Sequence, residues 1–597
     1  MLGVTAPATV APRSLLDSQA LLWLLVALAA LALYPPNEML ATVDHLAVRD
    51  TDDAMRLVDV RALVNGQGWF DTVQHRFLPP EGVRSHWSRL VDAPLAASVL
   101  VLTPLVGRSL AEGLTAAFWP ALLMGLYGIA LYRGLRSAFG ARAGILGVFA
   151  ALELFGVTVQ FTAGRVDHHN LQILAMLGVG FCLIRPGLRA GLAAGGFCAL
   201  SLAIGLEGLP FVALAGVFLA GDWVGRGRTA LPAFLGFGIG LGTATPLLFA
   251  GQTAPSLWGT SYCDALSPPW LWLAAGGLAA ALGCAALDGR LRTPAARLAA
   301  ASGFGIAVAA GFAALFPACL GGPFPGMPAL VREHWLFTVN EMTSVPKFIA
   351  HGKWEALAFY PPLMLAALCA TWAALRGKAE TRRHFAVAAL FLWPGLVIGF
   401  FQFRGLYIAS GFIPLVAGPV MDRAIDIARD RTVAGGRKTA FCALAAALVS
   451  PIWITPMLLP ALAEASDDTM PARPACRSHD AMAPLAALPP GTVLAPIWIG
   501  PAMLLYTPHS VIAAPYHRAI PGLVAAIEGL GGSEGDLRRH VEARHADYVV
   551  LCPKEPEDSL SDGPSFATRL GRGEVSVPWL APVDIPGSVL KAWRVVR

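Results

Sequence analysis

The chain is 597 residues long, 56% apolar and only 14% charged, with nine cysteines and a formal net charge of +5; its mean hydropathy is +0.59. A water-soluble protein carries about 25% charged residues, so this composition excludes a soluble globular enzyme and makes lipid part of the solvent. No basic tract interleaves with aromatics, which excludes nucleic acid as a partner, and no CxxC pair exists for a zinc ribbon.

Residues 1–17 hold one Arg and lead to no small-residue cleavage site, so the first apolar run reads as a retained helix. Thirteen apolar runs approach the roughly 20 residues needed to cross a bilayer. They lie near 18–34, 112–132, 143–163, 170–184, 188–206, 208–224, 229–249, 269–287, 298–317, 356–376, 384–401, 405–421 and 439–460. A further run, 94–107, reads as re-entrant or interfacial. Every even-numbered span is followed by a basic turn, such as Arg133, Arg136 and Arg142 after the second or Arg376, Lys378, Arg382 and Arg383 after the tenth. The positive-inside rule makes those turns and the N-terminus cytoplasmic. Loop 35–93, the 164–169 turn, loop 318–355 and everything after 460 then lie outside. The Ala/Gly/Leu/Arg-rich usage points to a bacterial inner membrane, with the tail periplasmic. The chain divides into a transmembrane unit, 1–460, and a soluble unit, 461–597. In the latter, strand-like runs at Thr492–Ile499, Ser510–Ala514, Tyr548–Cys552 and Leu590–Val596 and a helical stretch near 519–545 predict a small α/β domain. Cys476 and Cys552 fall together in that domain and are candidates for a disulfide; Cys263 and Cys319 also fall outside.

The polar residues that carry chemistry sit in the outside segments. Asp50, Asp52, Asp53 and Asp59 crowd into ten residues of the first loop, which continues to His86-Trp87-Ser88-Arg89; this is either a cation site or a solvated loop face. Between the third and fourth spans stand Asp167-His168-His169. Ionisable groups wedged between membrane helices are costly unless paired or metal-bound, and Asp167 and His169, two apart, share one side of an extended segment. Carboxylate with imidazole suits Mn or another first-row ion better than Mg; the competing reading is a helix-capping turn. Thr338-Val339-Asn340-Glu341 lies in the 318–355 loop, and Arg404 sits in a short outside turn, placed either to snorkel or to grip a phosphate. Glu207 is a further outside-edge charge with no assigned role.

Taken in order, these residues resemble the catalytic subunits of oligosaccharyltransferases, in the GT-C glycosyltransferase superfamily, with archaeal members nearest in motif. The resemblance covers about 18–460 and implies thirteen spans with an outside C-terminal domain. It implies that Asp52, with Asp53 beside it, is the catalytic first-loop Asp, set in a helix before Arg61. It further implies that His86 is the first-loop His, that Asp167-His168-His169 is the D-x-H motif, that Thr338–Glu341 is the T-I-x-E motif, and that Arg404 grips the donor phosphate. The implied metal set is Asp52, His86, Asp167 and His169, holding Mn or Mg, with Asp52, Asp53 and Glu341 catalytic. The implied donor is a polyprenyl-linked sugar, transferred with inversion to a protein, lipid or polysaccharide acceptor. The tail departs from the pattern: the W-W-D-Y-G motif that reads the acceptor sequon is missing. Its nearest match, Ile497-Trp498-Ile499-Gly500, lacks the Asp, and Tyr516-His517-Arg518 follows as an acceptor-facing or structural triplet. Two other readings stand beside this one. One is a transferase using a polyprenyl-phosphate monosaccharide to modify a lipid or polysaccharide; the other is a transporter or flippase of lipid-linked sugar.

Overall fold

A computed structural model describes residues 18–455, 475–555 and 557–597. The helices in chain order are α1 (Gln19–Leu33), α2 (Pro36–His45), α3 (Thr51–Val64), α4 (Arg89–Val106), α5 (Arg108–Phe139), α6 (Ala141–Leu152), α7 (Phe155–Thr158), α8 (His169–Ile184), α9 (Leu188–Ile204), α10 (Leu209–Arg226), α11 (Leu231–Gln252), α12 (Pro268–Leu287) and α13 (Pro294–Leu315). Three short helices, α14 (Ala329–His334), α15 (Val345–Ala350) and α16 (Trp354–Leu357), precede α17 (Tyr360–Arg376), α18 (Ala379–Phe401), α19 (Gly405–Ser410), α20 (Pro414–Arg429) and α21 (Gly435–Ala447). Among the described residues eight helices are long and apolar enough to cross a membrane, and α1 with α2, bent by 43°, forms a ninth. The chain is thus an α-helical multi-pass membrane protein. The last expected span, 439–460, lies partly outside the described residues.

Among the described residues helices lie at the expected runs, several of them shorter than 18 residues, with three further differences. The 143–163 run does not stay helical. α6 stops at Leu152, and the freed backbone is satisfied inside the protein: Ser450 N–H donates to the Glu153 carbonyl (3.0 Å) and Phe155 N–H donates to Ser450 Oγ (3.0 Å). Irregular backbone at this depth is tolerated only where neighbours complete it. The 405–421 run tightens at 411–413 between α19 and α20, where Gly411, Phe412 and Ile413 N–H donate three residues back, and Gly405–Arg429 stays one span. The 94–107 run is a full 18-residue helix, α4, but both its ends are tied to α3. Asp92 in its first turn accepts from Arg56, and after a single-residue corner at Gly107 the next helix offers Glu112 to Arg61. The start of α4 and the first turns of α5 are thus both tied to α3, and α4 is itself long and apolar enough to cross.

Close helix packing comes from glycine. Gly191 and Gly195 on α9 face Gly236 and Gly240 on α11. A Cβ on any of the four would come within 2.1–2.4 Å of a backbone oxygen across the pair. This is the small-residue contact that lets membrane helices approach backbone to backbone.

The tail is a five-stranded sheet in the order β4-β3-β5-β7-β6, made of β3 (Thr492–Leu494), β4 (Ser510–Val511), β5 (Tyr548–Leu551), β6 (Leu580–Val583) and β7 (Lys591–Val595). β3 is parallel to β4 and β5, whereas β7 runs antiparallel to β5 and β6. β6 was not foreseen, and 497–499 turns as a 3₁₀ segment where a strand was expected. The first loop folds against this domain. It carries the hairpin β1 (Val73–Gln74)/β2 (Val83–Arg84), and its 76–78 segment adds to the β4 edge: Val511 N–H donates to the Arg76 carbonyl (2.9 Å) and Leu78 N–H to the Val511 carbonyl (2.7 Å). Cys476–Cys552 and Cys263–Cys319 are both disulfides. Thiol labelling of the denatured, unreduced protein is therefore expected to modify the five free cysteines, 182, 198, 284, 369 and 442. Reduction should expose all nine, so nine labels before reduction would contradict the pairing.

Candidate active site

α3 begins with two acids in its first turn, where the helix dipole favours negative charge. It is buried along most of its length, so its charges must find partners. Arg56, fully buried, donates to Asp92 Oδ1 (2.9 Å) and Asp167 Oδ1 (3.3 Å), with its guanidinium 4.4 Å from the Trp87 ring centroid. Asp53 is occupied at both oxygens. Oδ1 accepts from the backbone N–H groups of Val166 (2.9 Å) and Asp167 (3.0 Å), and Oδ2 from Arg165 (3.0 Å). Asp53, expected among the catalytic residues, thus holds the 165–167 turn in place. That turn requires Gly164, which has φ +81° and lies where a Cβ would sit 2.9 Å from the Ala47 carbonyl.

The turn presents Asp167, His168 and His169 together. His168 Nδ1 lies 2.7 Å from Asp167 Oδ1 and its Nε2 lies 3.5 Å from Glu207 Oε1. Burial opposes its charge, but a carboxylate at each nitrogen raises its pKa to about 10. With Asp167 and His169 it forms a buried trio whose ligand atoms all lie within 4.8 Å of one another. His169 Nε2 stands 3.5 Å from Asp167 Oδ2 and 3.6 Å from Glu341 Oε1. Asp167 Oδ2 is buried and has no hydrogen-bond partner. Burial works against the Asp167 charge, but His168, His169 and Arg56 hold the carboxyl well below its ordinary range. Glu341 also accepts from Arg404 (3.3 Å) and Tyr407 (3.2 Å). Glu207, unassigned from sequence, joins the site by lying 3.7 Å from Arg404 Nη1 and accepting from Gln172 (3.0 Å). Only the folding of the α9–α10 turn brings it there.

Asp52 is half-buried, makes no hydrogen bond or ion pair among the described residues, and lines a cavity of about 820 Å³ together with His86, His168, His169, Glu207, Glu341 and Arg404. Burial and the neighbouring carboxylates of Asp50, Asp167 and Glu341 raise the Asp52 carboxyl well above its usual range. These convergent acids and the orphaned Asp167 oxygen are what a divalent cation would satisfy, so the residues present fit one.

His86 stands apart from the set it was expected to join. Its ring packs against His517 (4.7 Å between centroids), and its close ligand-type neighbours are His517 and Asp264. Burial, then His517 and Arg518, keep its pKa well below the ordinary value. Asp264 accepts from His517 Nε2 (2.6 Å) and from Arg518 Nε (2.8 Å) and Nη2 (3.0 Å). A carboxylate already gripped by a guanidinium fork is an ion-paired latch, not a cation cage. Trp498 lines the same cavity from the tail, with the Arg477 guanidinium 5.8 Å from its ring; Ile499, at the position where the sequon motif has Asp, is buried. Tyr516 and His517 also line the cavity.

No protein-family model and no curated protein matches the sequence. Solved structures of the oligosaccharyltransferase of Archaeoglobus fulgidus do. The one tethered to an acceptor peptide containing the NVT sequon is 15% identical, with a TM-score of 0.64, covering 90% of this chain and 69% of that one. The AglB complex with an inhibitory peptide and a dolichol-phosphate is 14% identical, with a TM-score of 0.63 and coverages of 89% and 69%. The complex with Zn and sulfate is 14% identical, with a TM-score of 0.61 and coverages of 89% and 68%. At these identities the likeness establishes the fold alone, that of the archaeal enzyme. Replacing Arg56 with Ala would take the shared guanidinium from between two buried carboxylates, leaving Asp92 to Arg89 and Asp167 to His168. A loss of about 3–5 kcal/mol is expected, read as a lowered unfolding midpoint in detergent; an unchanged midpoint would contradict the role given to Arg56.

Proposed function

We propose that this chain is an oligosaccharyltransferase-like membrane glycosyltransferase that moves a glycan from a polyprenyl-(di)phosphate donor to an acceptor at the polar end of the helical bundle. The observation that carries the reading is the buried, unpartnered Asp167 Oδ2 facing His169 Nε2 at 3.5 Å, in a cavity that also reaches Asp52 and Arg404. The similar archaeal enzyme is described with dolichol-phosphate, with an acceptor peptide, and with Zn and sulfate. We carry lipid-phosphate, acceptor and divalent-ion binding over to this chain as part of the proposal. The positive-inside pattern adds an orientation: a bacterial inner membrane, N-terminus cytoplasmic, tail periplasmic.

Asp167, His169 and Asp52 would hold the ion, with Glu341 next to it. Mixed oxygen and nitrogen donors favour Mn or Zn over Mg. The bound ion would supply positive charge for the leaving phosphate. Arg404 would grip that phosphate through its guanidinium, and the His168 imidazolium would add a fixed positive charge. The acceptor heteroatom attacks the anomeric carbon as the bond from that carbon to the phosphate oxygen breaks. Asp52 takes the acceptor's proton and Glu341 orients the acceptor. Because no side chain becomes glycosylated on the way, this single displacement inverts the anomeric centre.

The buried Ile499 favours a second reading of the acceptor. With no carboxylate at that position to receive a Ser/Thr hydroxyl, a lipid or polysaccharide acceptor, modified from a polyprenyl-phosphate monosaccharide, competes with a peptide. Transport of the lipid-linked sugar is disfavoured because the convergent acids, histidines and arginine of the cavity gather at one end of the bundle, while charged groups at the other end are taken up in ion pairs such as Arg142–Asp422 and Arg383–Asp222.

Two outcomes are expected. Asp167→Ala combined with His169→Ala should strip Mn²⁺ from the purified protein, and unchanged metal content would sink the metal site. Asp52→Ala should slow Mn²⁺-dependent consumption of host lipid-linked glycan by about 10²–10⁴-fold; wild-type turnover in that variant would remove Asp52 from the chemistry.

A further inference from the structure

We infer that Asp264 is a positioning residue that sets Asp52 against Asp167 through the tail domain. The inference rests on the metal reading above. Asp264 lies in the α11–α12 connection, beside Cys263, whose disulfide with Cys319 staples that connection to the start of the 318–355 loop. It is nearly buried and spends both oxygens on the tail, receiving His517 and the Arg518 fork. Arg518 is held on two further sides: it donates to the Ser85 carbonyl (3.3 Å), and its guanidinium lies 4.6 Å from the Tyr262 ring centroid. The residue before this pair is Tyr516, whose hydroxyl donates to the Thr51 carbonyl (3.0 Å), one residue ahead of Asp52. The Tyr516 ring meets Trp87 edge-on at 5.3 Å, and Trp87 covers Arg56, the partner of Asp167.

Two short paths therefore run from one carboxylate. One reaches the first turn of α3, which carries Asp52; the other reaches the guanidinium that holds Asp167. Both proposed metal-binding acids thus take their separation from a triplet that Asp264 anchors. Arginine makes this anchor stiff, because a bidentate fork fixes orientation as well as distance.

The test uses the full-length protein in detergent and reads Mn²⁺ binding by electron paramagnetic resonance, independently of turnover. Asp264→Asn should weaken the Arg518 fork, and Tyr516→Phe removes only the hydroxyl that reaches Thr51. Each is expected to raise the Mn²⁺ dissociation constant by about 10-fold or more, the effect typical of residues that orient metal ligands without touching the metal. If Asp264→Asn does not fold, Tyr516→Phe decides by itself. Wild-type Mn²⁺ affinity in the folded variants, even with a tail more open to protease, would overturn the inference and leave Asp264 a plain tether. A wild-type protein that binds no Mn²⁺ would first sink the metal reading, and this inference with it.

Discussion

Arg56 is a guanidinium with no exposure to solvent, placed between Asp92 and Asp167 and covered by Trp87. Removing such an ion from water costs several kcal/mol unless every partner is in place, so the surroundings are obliged to supply them. α4 must begin where Asp92 can reach it, and the turn after α7 must bring Asp167 from more than a hundred residues away. Arg165 imposes the same demand beside it, joining Asp53, Asp50 and Gln160. These two buried cations register the first loop against the α7–α8 turn, and the reactive-looking groups inherit their positions from that registration.

The consequence is a division of labour among acids that look alike. Asp53 and Asp92 are fully engaged in holding backbone and arginine. Asp52, adjacent in sequence to Asp53, turns to the cavity with no partner. Asp167 is split, one oxygen bonded to Arg56 and His168 and the other unbonded. His168 and His169 differ in their neighbours: Asp167 and Glu207 for the first, Asp167 and Glu341 for the second. A low-dielectric margin sharpens these differences, since an unpaired charge there is far more costly than in water.

The tail domain closes this arrangement from above. It docks by strand addition at residues 76–78, and by the Asp264 grip on His517 and Arg518. Trp498 and Tyr516 thereby become walls of the cavity that holds Asp52. A soluble domain held on two sides is a structural part of the site, and it presents Arg477, Trp498, Tyr516 and His517 to the cavity.

Membrane insertion, the order of apolar segments, and the placing of charged motifs in connections between them were legible in the sequence, because each depends on local composition over about 20 residues and on the cost of charge in hydrocarbon. So were the two helix-flanking acids at 52 and 167 and the candidate Cys476–Cys552 bond. The break at Leu152, the ties of α3 to the start of α4, the glycine contact of α9 with α11, and the contacts of Glu207 and Asp264 were decided only in three dimensions. Each depends on which distant group completes a hydrogen bond or balances a charge. Asp52 and Asp53 state the difference most directly: neighbours with identical side chains, told apart only because Arg165 and the 166–167 backbone fold against one and an open cavity against the other.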